Sequence, residues 1–349
     1  VVQYGYDLAG RRTSVTDERN FTTNFAYDNA YRLITVTDPL SHTVNYSYDL
    51  MSNLVSQTDG EGNVTNYEYD TFDRLTKTVY PIPDTGVARL EERFEYDAVG
   101  NLKKRIDTAN RQTVYNYDNA YRLTNTVDAL NQITQFQYNP RSQMVKVIDA
   151  KGQNYDFTYD PLGRQLTQTR DGGTMTYQYD LVGNRTRRTD YKGDLTRYTY
   201  DPLNRLKRII YPNAAENVQY NYDKLSRLQK AIDETGTVDF NYTQRDQVSS
   251  VLDVHGQKVG YSYDAAGNRR FLRLNDVDQF DHRSDSANRL QKIIDKQNSD
   301  ATIDFNYDSA NRMTRIIRPN GVDTVYRYDG MSRLTVLRDF TVAAPTPAI

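Results

Sequence analysis

An all-β fold is predicted: tandem Tyr-Asp repeats forming a single-layer antiparallel β-meander that curls into a spiral. Three features of the sequence predict it. A Tyr-Asp pair returns about every 21 residues from one end of the chain to the other. The residue two before each of these tyrosines is nearly always a second aromatic. Turn-forming residues punctuate the pattern so often that no helical-period stretch exceeds two turns.

The period comes first. Tyr-Asp occurs at Tyr6, Tyr27, Tyr48, Tyr69, Tyr96, Tyr117, Tyr159, Tyr179, Tyr200, Tyr222, Tyr263, Tyr307 and Tyr328. Tyr138 and Tyr242, followed by Asn139 and Thr243, hold two more registers, and Ser284-Asp285 holds the last, making 16. Successive steps are 21, 21, 21, 27, 21, 21, 21, 20, 21, 22, 20, 21, 21, 23 and 21 residues. Residues 1–340 therefore read as one repeat array, and 341–349, with Ala343-Ala344-Pro345-Thr346-Pro347-Ala348, as an Ala/Pro-rich linker or tail. The chain opens at Val1 without Met, already inside the pattern, and reads as a piece of a longer protein.

Each unit divides into two strands and two turns. In residues 24–45, Asn24-Phe25-Ala26-Tyr27 alternates as a half-buried strand does. Asp28-Asn29-Ala30-Tyr31-Arg32 turns the chain, and the β-branched run Leu33-Ile34-Thr35-Val36-Thr37 returns it. Asp38-Pro39-Leu40-Ser41 turns again into Thr43-Val44-Asn45-Tyr46. Asp at a strand exit suits a turn in which its carboxylate accepts a backbone N–H two residues on. The residue before the repeated Arg position is Gly at 10, 100, 163, 183 and 267, Asn at 204, 288 and 311, and Asp at 73 and 246. These types tolerate φ > 0. Tyr31 and Tyr121 stand at the same place, so a left-handed residue is not expected at every turn.

The aromatics explain how a thin sheet holds together. The position two before the repeated Tyr is Tyr at 4, 46, 67, 115, 177, 198, 220, 261 and 326, and Phe at 25, 94, 136, 157, 240 and 305. Only His282 breaks the rule, in the register that carries Ser284. Residues i and i+2 share a strand face, so each unit presents two rings on one side. At ~4.8 Å per strand, about 32 strands make a strip ~150 Å long, which must curl.

Composition narrows the function. Lys+Arg number 44 against 46 Asp+Glu, a net charge of −2, which lacks the basic footprint of a nucleic-acid partner. No apolar run reaches the length of a membrane helix, and no signal peptide opens the chain. There is no Cys, hence no disulfide, thiolate nucleophile or Cys-based zinc site. Thirty Tyr and 11 Phe argue for a folded chain despite a mean hydropathy of −0.82.

The unit seen in Tyr159-Asp160-Pro161-Leu162-Gly163-Arg164 and Tyr200-Asp201-Pro202-Leu203-Asn204-Arg205-Leu206 resembles the YD repeat of the rearrangement-hot-spot (RHS) family. That family includes polymorphic toxins, shell subunits of insecticidal toxin complexes, wall-associated proteins and teneurins. The resemblance implies a β-strip spiralling into a hollow shell, secreted or at the cell surface, that encloses a C-terminal toxic segment or serves as an extracellular scaffold. The implied partners are the rest of the parent polypeptide and an enclosed toxin segment. The motif that closes such shells, with its aspartyl self-cleavage site, has no match here, so the resemblance carries over the wall and not the protease or the toxin.

Candidate sites read as structural on sequence grounds, and no catalytic, cofactor or metal residue is assigned. Asp17, Asp38, Asp59, Asp107, Asp128, Asp149, Asp190, Asp233 and Asp253 share one repeat phase. They suit turn caps, with a row of calcium ligands as the alternative. Asp59-Gly60-Glu61-Gly62-Asn63 comes nearest to a ligand cluster but matches no calcium-loop pattern. Glu91-Glu92 falls in the long insertion and is expected in a solvated loop, where adjacent residues make no acid–base pair. His42, His255 and His282 fall in different registers, which disfavours a triad. Gly172-Gly173 and Gly60-x-Gly62 read as hairpin turns rather than phosphate loops, because no helix follows. The rings could alternatively stack on sugars, making an adhesive or carbohydrate-binding surface. The register at His282–Ser284 reads as a decayed repeat, or as a gap where something docks. A non-enzymatic shell or scaffold segment is the favoured function.

Overall fold

The structure, a computed structural model, describes residues 1–82, 89–170 and 172–341. Its described residues form 32 strands in one sheet, with a single helical turn of 3₁₀ type at Ala214–Glu216. Successive strands pair antiparallel, as in Thr22–Tyr27 with Leu33–Thr37 and Leu33–Thr37 with Thr43–Tyr48. The expected all-β single-layer meander is the fold. The Ala/Pro-rich tail lies outside the described residues from 342 onward.

The pleat sorts side chains as the alternation requires. Phe25 lies opposite Val36, Val36 opposite Val44, and Tyr27 opposite Leu33, which makes one apolar face. Asn24 opposite Thr37 and Thr35 opposite Asn45 make the other, polar face. That face is laced by side-chain hydrogen bonds: Thr35 Oγ1 donates to Asn45 Oδ1 at 2.9 Å, and the Ser47 and Ser56 hydroxyls share one at 2.6 Å. Among the described residues no second layer covers the apolar face as a core would, and Ile294, 7% exposed, is the one buried hydrophobic residue.

Two backbone devices recur. At the repeated Tyr the pairing slips by one residue: Ala26 faces Thr35 but Tyr27 faces Leu33, and Tyr200 and Tyr307 show the same slip. This β-bulge lets two residues oppose one and increases local twist. The second device is the turn. Asp28 N–H bonds Arg32 O, and Tyr31 N–H bonds Asp28 O, closing a three-residue loop whose last member must be left-handed. In all 16 registers this turn places that residue at positive φ, Tyr31 (66°), Tyr121 (60°) and Ser52 (73°) included. The expectation that some turns escape the left-handed requirement is therefore wrong. The loop geometry fixes φ whatever side chain is present, and four registers use Ser: Ser52, Ser142, Ser226 and Ser332.

The chain divides into two compact units, one comprising residues 1–94, 107–109 and 259–349, the other 95–106 and 110–258. Within the first, early and late turns meet edge to edge. A Cβ on Gly60 would lie 1.9 Å from Ser309 O, and one on Gly330 would lie 2.8 Å from Ile82 O. Neither glycine has positive φ, so close approach of backbones explains both. Glu61 Oε1 accepts the Ser309 N–H at 2.6 Å across the same edge. Within the second unit, strands follow one another as hairpins, from Leu102–Ile106 onward to Val248–Leu252.

Candidate functional site

The residues that define the repeat meet at the junction of each unit with the next. Asp28 shows the arrangement. Its Oδ1 accepts the N–H groups of Ala30 and Arg32, both at 2.9 Å, and its Oδ2 accepts Arg32 Nε–H at 2.7 Å. Arg32 is thereby aimed forward. Its Nη1 donates to the carbonyl of Asp49 at 2.6 Å, and its guanidinium lies over the ring of Tyr48 at 4.9 Å. Tyr48 reaches back, its hydroxyl donating at 2.9 Å to Leu33 O, the carbonyl at the bulge. Asp, Arg and Tyr thus form one clasp between neighbouring units.

The clasp repeats. Arg122 bonds Asn139 O and covers Tyr138, and Arg164 bonds Asp180 O and covers Tyr179. Arg205, Arg227, Arg289 and Arg312 repeat it on Tyr222, Tyr242, Tyr307 and Tyr328. The backward hydroxyl bond is made by Tyr27, Tyr48, Tyr69, Tyr117, Tyr159, Tyr179, Tyr200, Tyr222, Tyr242, Tyr307 and Tyr328. This explains an asymmetry in the sequence. The first ring of each pair is Tyr or Phe, His282 excepted, and makes no such backward bond among the described residues, whereas the second is never Phe and donates backward in the eleven registers just named. Where Asn replaces Arg, as at Asn53 and Asn184, the amide binds its own Asp and then the left-handed residue of the next turn, Asp73 or Asn204.

Magnitudes rank the parts. A net hydrogen bond contributes ~0.5–1.5 kcal/mol and a half-exposed cation–π contact ~0.5–1. The Arg–Asp ion pairs stay partly exposed and contribute ~0–1 kcal/mol, mainly fixing the direction of the Arg. The rings therefore act through guanidinium groups and hydroxyls more than through ring-on-ring pairing, whose clear instance is Phe280 with His282 at 6.5 Å. The electrostatics follow. The Arg32 backbone N–H, joined by its side chain, holds the Asp28 carboxyl below its ordinary range. At Asp118 the side-chain bond from Arg122 comes first. Burial pushes the Tyr48 and Tyr159 hydroxyls up.

The second-turn aspartates cap their own loops. Asp38 Oδ1 accepts from Leu40 N and His42 N, Asp128 from Leu130 N and Gln132 N, and Asp149 from Lys151 N and Gln153 N. Asp17, Asp59, Asp190 and Asp253 do the same, while Asp107 and Asp233 accept from the residue two on. Among the described residues no three His, Cys, Asp or Glu groups gather as a metal site. Glu91 and Glu92 are a correction: they open the strand Glu91–Tyr96, facing Val79 and Thr78, and are not in a solvated loop. Glu91 pairs with Lys77 at 3.1 Å, and Glu92 is buried and accepts from Tyr80 Oη at 3.2 Å. As neighbours on a strand they point to opposite faces.

The histidines serve local roles. His42 Nδ1 meets Asp38 Oδ2 at 3.1 Å, and His255 donates its backbone N–H to Asp253. His282 lies half-buried on the strand Val277–Ser284, where burial, then the charge of Arg269, pushes its pKa down. Gly172, at φ 88°, precedes a strand in a hairpin that pairs Arg170 with Gly173, as expected. The residue whose role the sequence reading missed is the clasp Arg. Its signal was present: it stands four after the Asp and shares the period of the Tyr it covers.

A sheet whose units are joined one to the next by recurring side-chain clasps defines a tandem-repeat strip protein. The teneurin YD-shell profile matches residues 2–140 and 94–255, the RHS repeat profile matches residues 307–341, and the chain belongs to this YD-shell family. No curated protein matches the sequence. Among solved structures the chain is similar to one of TcdB2-TccC3-Cdc42, with TM-score 0.67, 14% identity and coverage of 94% of this chain and 22% of that one. It is similar to a Photorhabdus luminescens Tc holotoxin pore carrying a TccC3 mutation, with TM-score 0.62, 15% identity and coverage of 96% and 22%. TcdB2-TccC3-TEV gives TM-score 0.59, 15% identity and coverage of 96% and 21%. The chain thus spans about a fifth of the length of these structures.

Proposed function

We propose that this chain is a wall segment of a YD-repeat shell, non-enzymatic in itself, secreted or displayed at the cell surface, and closed around a segment of its parent polypeptide. The clasp carries this reading. The Asp, Arg and Tyr side chains that could do chemistry are committed, unit after unit, to holding the next unit. Membership of the YD-shell family and likeness to Tc toxin structures support the shell role and the location. The adhesive reading finds less support, because many rings of the repeated Tyr position already carry guanidinium groups.

Protection is the test. In the polypeptide containing these repeats, a protease site is placed in the segment to be enclosed. Resistance in the folded protein and cleavage after unfolding in urea are expected. Cleavage at the rate of the free peptide while the repeats remain folded overturns the enclosing role. Saturable binding on a glycan array by the same protein would favour the adhesive surface instead.

A further inference from the structure

One junction departs from the clasp in both its parts. The unit beginning at Asp264 has Asn268 where most others have Arg, like the units with Asn53 and Asn184, but here the following unit also has Ser284 where others have Tyr. Asn268 Nδ2 still binds Asp264 Oδ2 at 3.0 Å and Asn288 Oδ1 at 2.7 Å, but no ring or guanidinium from this junction fills the place between.

That place is filled from elsewhere in the first unit of the chain. Arg19, in the second turn of the first repeat, puts Nη1 3.6 Å from Asp264 Oδ2. Its Nη2 donates to Asp285 O at 2.8 Å and to Asn288 Oδ1 at 2.5 Å, and its Nη1 donates to Ser284 O at 3.3 Å. An ordinary clasp Arg makes the same set. Arg289 binds the carboxylate of its own Asp285, the carbonyl of the next Asp308, and Oδ1 of the next left-handed residue, Asn311. Arg19 also brings a ring, Phe21, 4.9 Å below its guanidinium, where the local Tyr is missing. The contact is reciprocal, since Asn288 Nδ2 donates to Asp17 Oδ2 at 3.4 Å.

We propose that the Asp264–Asn288 junction is a receptor for Arg19, made by removing the local Arg and Tyr, and that it locks which early turn seats on which late turn. A decayed repeat would leave its acceptors to water. Here the two forward acceptors of a clasp Arg, the Asp285 carbonyl and Asn288 Oδ1, take a guanidinium from Arg19, far away in sequence, which also stands 3.6 Å from Asp264 Oδ2. A tyrosine at 284 would reoccupy the slot in which Arg19 lies. The residue that consensus calls for is therefore the one this site excludes.

Hydrogen exchange on the whole chain tests the lock. Arg19→Ala is expected to speed exchange severalfold at the amides of residues 285–289 and to leave those of residues 160–164 unchanged. Lys151→Ala, at the same position of another turn, is expected to change neither. The decisive variant is the double replacement Asn268→Arg with Ser284→Tyr, which rebuilds the consensus clasp. It is expected to keep residues 285–289 protected while residues 17–21 lose protection, because Arg19 is displaced. If the rebuilt junction raises the melting temperature and leaves residues 17–21 as protected as before, the lock is overturned and the junction is a decayed repeat.

Discussion

Removing one oxygen from Tyr222 isolates the backward bond of the clasp. In Tyr222→Phe the ring stays beneath Arg205, whose guanidinium carbon lies 4.6 Å from the ring centroid, so the cation–π contact survives. What is lost is the hydroxyl bond to Leu206 O at 2.8 Å. Leu206 lies at a bulge, opposite Tyr200, where the sheet register slips. A net hydrogen bond contributes ~0.5–1.5 kcal/mol, and a half-buried carbonyl left unpaired adds part of its desolvation cost, so a loss of about 1–1.5 kcal/mol is expected. Tyr220 sits two residues earlier on the same face, and its hydroxyl makes no such bond among the described residues. Tyr220→Phe should therefore change stability by less than about 0.5 kcal/mol. Urea melts followed by far-ultraviolet circular dichroism measure both, and equal losses from the two substitutions would refute the assignment of the second ring as a donor.

Three further expectations rest on the same geometry. Tyr121 is held at φ 60° and is 61% exposed, so Tyr121→Gly should be neutral or stabilising by up to ~1 kcal/mol, whereas β-branched Tyr121→Val should destabilise; the reverse order of urea midpoints would show that the turn does not impose the left-handed region. Gly60 lacks a side chain because of Ser309, since the same turn position holds Glu18, Pro39 and Ala150 elsewhere; Gly60→Ala should cost about 1–3 kcal/mol, and an unchanged melt would mean that the edge contact yields freely. Stability should also be flat from about pH 7 to 9 and fall on both sides, beginning on the acid side as pH drops below the ordinary histidine value, because burial lowers the folded pKa of His282. Asp28, Asp70 and Asp118 have lowered folded pKa values, so their contribution is present above the unfolded value near 4 and lost as pH falls through the folded one. Tyr48, Tyr117 and Tyr222 have raised ones through burial, so theirs is present below about pH 10 and lost as pH rises further; a melt insensitive to pH 11 would contradict the buried hydroxyls.

What the sequence disclosed depended on how far apart the cooperating residues lie. Strands, turns and the apolar face were legible because each is set within a few residues, by alternation at Asn24–Tyr27 or by Asp and the left-handed residue around a loop. The clasp was half legible. Tyr and Asp were visible as a pair, but their joint purpose depends on Arg32 meeting Tyr48 across a β-bulge, and a register slip leaves no mark on composition. The left-handed turns were misjudged at Tyr31 and Tyr121 because side-chain preference was allowed to speak for the backbone. Two hydrogen bonds, Asp28 N–H to Arg32 O and Tyr31 N–H to Asp28 O, close that loop regardless of which residue is third. Glu91 and Glu92 were misplaced because the long step from Tyr69 to Tyr96 concealed where pairing resumes, at Val79 with Glu91.

Contacts between early and late turns lay beyond any reading of the repeat, for a physical reason. A period states what each unit does to its neighbour, and in a strip held by nearest-neighbour clasps that is nearly all of the stability. It does not state which distant units come to lie side by side, because that comes from the accumulated twist and bulges of the strands. Turns of one kind could therefore seat on turns of another in several offsets, each a shift by one unit with similar chemistry. Choosing among them requires a feature that does not repeat. Gly60 beneath Ser309 and Gly330 beside Ile82 permit close approach only at particular places. Arg19, entering a junction with neither Arg nor Tyr of its own, adds a bond that no other offset offers. The irregular positions of a repeat protein are thus where its long-range geometry is specified, and substituting them toward consensus would strengthen each unit while loosening the register of the whole.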